Sequence, residues 1–150
     1  MTRGYACHFD PASTNEGLGS HARGTLFPLL HICLTTGLSP ILKRLPPNLA
    51  RDYSNLDLAS FWGIPEDVDD DCHEVEVNTW TDPVLGSACG DAILLGERIQ
   101  KMLQQCNTEK PILVCLTGAL RYMNPTPPVH QWLQSHARQW EKKRHGGGDS

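Results

Sequence analysis

The stretch HEVEVNTWTDPVLGSACGDAILLGERIQKMLQQCNTEKPILVCLT, residues 73–117, decides the fold. Its first part alternates, with Val75, Val77 and Thr79 against Glu74, Glu76 and Asn78. A period of two marks a strand with one solvated face. Thr81-Asp82-Pro83 then offers a helix start, Asp82 as N-cap and Pro83 in the first turn. Ala92, Leu95, Ile99, Met102, Leu103 and Cys106 form the apolar stripe of a helix running to about Cys106. The run PILVCLT, 111–117, is continuously apolar and of strand length, as in a central strand covered on both faces. Two such strands joined by a helix form a right-handed parallel crossover. Because two strands make a thin sheet, a third strand or an α+β packing is expected.

Downstream, RYMNPTPP is a turn-rich connection, and a last helix starts near Pro127–Pro128 with Thr126 as its cap. Val129, Trp132, Leu133, His136 and Trp140 share one side, and a basic end complements the helix dipole. Upstream, TLFPLLHICLTTGL, 25–38, repeats Leu26, Leu29, Leu30, Cys33 and Leu34 at helical steps, and Gly37 ends the helix. Ser39-Pro40 is placed to start a second short helix. Leu49, Tyr53, Leu56 and Phe61 suggest one or two more helices before Gly63 and Pro65 stop them. The expected class is α+β in a single compact domain, with a mainly helical N-terminal half and a strand-helix-strand-helix C-terminal half. The domain spans 25–144. Residues 1–24, with four glycines and no apolar period, read as a flexible arm, and 145–150 as a disordered tail.

Composition narrows the function. The chain has 150 residues, 39% hydrophobic and 20% charged, enough for a real core and too apolar for disorder. No apolar run approaches the roughly 18 residues of a membrane span. The N-terminus lacks an apolar signal stretch, so a cytoplasmic or nuclear address is expected. The net charge of −4 disfavours sequence-independent binding of nucleic acid. Six cysteines, at 7, 33, 72, 89, 106 and 115, form no CxxC and read as reduced, mostly buried thiols. The adjacent pairs Cys7-His8 and Cys72-His73 lack zinc spacing, and EDVDDDCHE lacks the central glycine of an EF-hand. No metal or cofactor is expected.

Three features carry candidate function. The turn DPVLGSACGD holds Gly86 and Gly90, which either hold an anion on free N–H groups or simply permit close packing of helix on strand. Cys89 in that turn is a possible nucleophile if His73, His130 or His136 reaches it, which makes a small α/β ligand-binding domain or cysteine-dependent enzyme the alternative reading. Trp132 and Trp140, eight apart on the last helix, and Trp62-Gly63 are candidate partner-binding residues, since tryptophans anchor interfaces.

The third feature is LPPNL, Leu45 to Leu49, followed by a helical segment and Pro65. It resembles the minimal F-box of polerovirus-type silencing suppressors, Leu-Pro-x-x-Leu/Ile with a later Pro. Leu45, Pro46 and Leu49 match the first part and Pro65 the second, at a somewhat longer interval than is usual in that family. FPLL upstream, Trp62-Gly63 and the DP-led helix are also similar to that family. The resemblance implies a non-enzymatic adaptor. Leu45, Pro46, Leu49 and Pro65 would dock a SKP-type subunit of a cullin ubiquitin ligase by helix-in-groove contacts. The degradation target would be an Argonaute-type protein, and the consequence loss of host RNA silencing. A second resemblance, of PLLHIC (28–33) and LPPNLARDY (45–53) to a SOCS box, implies a related role, although Gly37 stands where that pattern wants an aliphatic residue.

Overall fold

The computed structural model describes residues 4–9, 21–42, 62–80 and 90–148, with side chains described as far as 138 in the last of these. Four strands, β1 (Gly4–Phe9), β2 (Ser39–Pro40), β3 (His73–Asn78) and β4 (Ile112–Thr117), form one sheet in the order β2-β1-β4-β3. Every pairing is parallel. A five-residue π-turn, Ala22–Leu26, runs directly into helix α1 (Phe27–Thr36). Helix α2 (Ala92–Gln105) joins β3 to β4, and α3 (Pro127–Gly148) follows β4.

The expected α+β class and its strand-helix-strand-helix second half are what the chain forms. β4 sits between β1 and β3, in register with both: Leu116 faces His8 on one side and Val77 on the other. Its side chains are buried on both faces, as its unbroken apolar run requires. On β3 the glutamates and Asn78 are exposed while Val77 is buried, as the alternation requires. The steps β1 to β2 and β3 to β4 run the same way across the sheet. With right-handed crossovers both connecting helices must then lie on one face. They do: α1 and α2 pack together, with Gly96 against Thr35, and share one core with Ala6, Val77, Val114 and Leu116. The opposite face, Cys7, Leu113 and Cys115, is covered by Ile41, Val68 and Cys72. A third cluster joins α3, through Val129, Trp132 and Leu133, to Leu26 just before α1, to Leu30 of α1 and to Ile64.

Several expectations change. Residues 4–9, expected in a flexible arm, form an inner strand, because GYACHF finds partners on both edges. Residues 21–24 belong to the helical segment. Ser39-Pro40 starts no helix; it is an edge strand, where the missing proline N–H costs no ladder bond, and Ile41 N–H donates to the Ala6 carbonyl at 3.0 Å. Leu34 is exposed, and Ile32 takes its place in the core. The last helix continues through Gly148, into the expected tail. Leu45 and Leu49 and the helical pattern of 45–61 lie outside the described residues.

The cap of α2 is Asp91, not Asp82, which lies outside the described residues. The Asp91 carboxylate accepts from the Ile93 and Leu94 N–H groups at 2.9 and 3.1 Å. Asp91→Ala should therefore lower stability by about 1 kcal/mol, whereas Asp91→Asn should keep most of it; urea denaturation of both variants checks this.

Candidate functional site

Two regions concentrate chemistry. The first is a groove beside the β2 edge, 320 Å³ in volume, between Tyr5 and Pro40 of the sheet, Ile41 just after β2, residues 63–65, and Trp132 and His136 of α3. Trp132 and His136, one turn apart, stack with ring centroids 4.0 Å apart and planes within 15°. Gly63 has φ 70°, and a Cβ there would meet the His136 ring nitrogen at 2.4 Å, so the glycine is what lets the imidazole approach. Leu42 N–H donates to the Pro65 carbonyl at 2.8 Å and ties this segment to the end of β2.

The structure thus brings together four residues selected from the sequence: Gly63, Pro65 and Trp132 line the groove, and half-buried Trp62 packs behind it in the α3 cluster. Pro65 is exposed. Leu45, Pro46 and Leu49 lie outside the described residues, as does the side chain of Trp140.

The second region is the carboxyl edge of the sheet, where β1, β3 and β4 end. His8 is buried; its Nε2–H donates to the Gly118 carbonyl at 2.6 Å, which leaves Nδ1 to accept the Thr25 hydroxyl at 3.1 Å. His21, opening the π-turn, is 1% exposed, and its Nε2 has no hydrogen-bond partner among the described residues. Burial, with the neighbouring His8 adding to it, pushes the His21 pKa down to about 4. The imidazole is therefore neutral at pH 7. His31 accepts or donates to the Thr126 hydroxyl at 2.9 Å; burial lowers its pKa, with Asp91 opposing.

Around this edge the loops are tightly pinned. Gly118 N–H donates to the Phe9 carbonyl at 3.0 Å, and Gly90 N–H to the Thr79 carbonyl at 2.7 Å. Thr79 Oγ1 and Trp80 Nε1 both donate to the Ala119 carbonyl, at 2.6 and 2.8 Å. Gly90 has φ 71°, and a Cβ there would lie 2.8 Å from the same carbonyl. The missing side chain of Gly90 is thus what lets the backbone approach the loop at Ala119. Gly86 and Cys89 lie outside the described residues. Of the histidines considered for Cys89, His73 begins β3, at the end remote from Gly90. His130 is exposed on α3 and His136 is in the groove.

In the sequence His8 stands out only as half of the Cys7-His8 pair, and His21 and Thr25 belong to no motif. The available signal was the apolar alternation of Tyr5, Cys7 and Ala6, His8 about a strand, obscured by the glycines that follow. Among the described residues no three His, Cys, Asp or Glu side chains are grouped to hold a metal ion, and no helix is long and apolar enough to cross a membrane. No protein-family model, curated protein or solved structure matches this chain.

Proposed function

We propose that the protein is a non-enzymatic adaptor and that the groove between the β2 edge, residues 63–65 and α3 is a partner-binding surface. The observation that carries this reading is convergence: segments around positions 5, 40, 64 and 132, remote in sequence, meet at one apolar groove floored by a stacked Trp132–His136 pair. A pocket of this volume takes one or two apolar or aromatic side chains of a bound segment, the usual size of an anchor site. The F-box-like resemblance supplies the partner class, a SKP-type ligase subunit bound through Leu45, Pro46, Leu49 and Pro65, with an Argonaute-type protein as target. Exposure of Pro65 on the groove supports that reading.

Pull-down of a purified SKP-type subunit tests it. Wild type should capture the subunit, and Leu45→Ala/Pro46→Ala should bind about 30-fold more weakly, the effect of losing one anchor worth about 2 kcal/mol. Equal capture by the two proteins removes the ligase reading.

One observation favours a second reading, a small α/β ligand-binding domain. In parallel sheets ligands settle outside the carboxyl ends of the strands. There His21 holds a buried nitrogen with no partner among the described residues, beside a π-turn, a feature frequent at functional sites. A thermal-shift screen of nucleotides and sugar phosphates addresses it: any stabilisation should disappear in His21→Leu, and stabilisation that survives the substitution belongs to another site.

A further inference from the structure

Beneath the covering segment, the second face of the sheet brings two thiols into contact. Cys7 on β1 and Cys115 on β4 are register partners on adjacent parallel strands. Their sulfurs lie 3.7 Å apart, and the residues are 1% and 2% exposed. Paired residues of neighbouring strands stand about 4.8 Å apart, within the span that a disulfide bridges. The Cys115 thiol donates to Glu74 Oε1 at 3.2 Å, and Glu74 is exposed on the edge strand β3. The two thiols and the carboxylate form a relay, Cys7 to Cys115 to Glu74, that ends at solvent.

We propose that Cys7 and Cys115 are a reversible redox site, oxidised by hydrogen peroxide to a cross-strand disulfide. This rests on the thiol geometry and is independent of the adaptor reading. The Cys115 proton passes to the Glu74 carboxylate, and the thiolate attacks one peroxide oxygen. The O–O bond breaks, Cys115 becomes a sulfenic acid, and the hydroxide released takes the proton from Glu74 as water. The Cys7 sulfur then attacks the sulfenic sulfur; the S–O bond breaks, and the hydroxyl leaves with the Cys7 proton as a second water. Two thiols lose two electrons and one peroxide gains them. The hydrogen bond from Cys7, burial and the Glu74 charge raise the Cys115 pKa, so the thiolate forms only transiently and the oxidation is slow.

The full chain is treated with excess hydrogen peroxide, its fold checked by circular dichroism, then unfolded in alkylating reagent and digested. The expected result is a linked pair of peptides containing Cys7 and Cys115, with fragmentation separating Cys115 from Cys106, and loss of the link on dithiothreitol. The proposal is overturned if the folded, oxidised chain yields Cys7 and Cys115 as alkylated thiols. Bridges from either residue to Cys72 or another cysteine overturn it equally.

Discussion

Leu116→Ala should lower the free energy of unfolding by about 3–5 kcal/mol, the upper part of the range for buried leucines. Leu116 is 0% exposed and sits in the strand that bridges the two crossover units. The cost has two parts, the lost transfer energy of the deleted carbons and the cavity left behind. The cavity decides where in the range the value falls. Here collapse is restricted, because β4 is hydrogen-bonded along both edges and β1 and β3 hold Leu116 in register from both sides. Urea denaturation measures the change, with an unaltered m-value showing that the variant unfolds from the same native state. Leu34→Ala is the control: at 44% exposure it should move stability by no more than about 0.5 kcal/mol. Against a domain stability of about 5–15 kcal/mol, the Leu116 variant should remain folded but with a much lower midpoint. A loss below about 1.5 kcal/mol would contradict a double-sided central position for β4.

The second half of the fold was legible because each of its elements has a clean period. Alternation in 74–79, a stripe from Ala92 to Leu103 and the unbroken run 112–116 each admit one arrangement. β1 was not legible, since a six-residue strand that starts at a glycine and holds a histidine looks locally like a loop. What makes it a strand is pairing with β4, more than 100 residues away, and such partnerships leave no local trace. Ser39-Pro40 misleads for a related reason: proline suits a helix start and a sheet edge equally, and only the neighbouring strand decides between them.

The groove was half legible. Trp62, Gly63, Pro65 and Trp132 stand out as aromatic or motif residues, and nothing local in the sequence shows that they meet. Their meeting depends on α3 folding back onto α1, a tertiary event set by Val129, Trp132 and Leu133. His21 shows the reverse. A histidine followed by Ala-Arg-Gly has no pattern that signals burial, and its perturbed ionisation arises entirely from the packing around it.

That ionisation gives the second large effect, a stability that falls between pH 6.5 and 4. In the unfolded chain His21 takes up its proton near pH 6.5, while in the folded chain burial delays protonation to about pH 4. Above pH 6.5 the residue is neutral in both states and imposes no penalty. As the pH falls through this window the unfolded state binds the proton first, so unfolding is favoured; below pH 4 both states are charged and the loss levels off. A fall of about 2.5 pH units at 1.36 kcal/mol each amounts to about 3 kcal/mol. Paired urea titrations of wild type and His21→Leu isolate this contribution together with its coupling to His8, because the carboxylates and the remaining histidines are common to both and cancel in the difference. Leucine cannot titrate and leaves no buried nitrogen unpaired, so the variant should gain on wild type by about 3 kcal/mol between pH 7 and pH 4. If the two stability curves run parallel across that window, His21 accepts its proton in the native state as readily as in the unfolded one. The buried, neutral imidazole at the carboxyl edge, and with it the ligand-binding reading, would then be wrong.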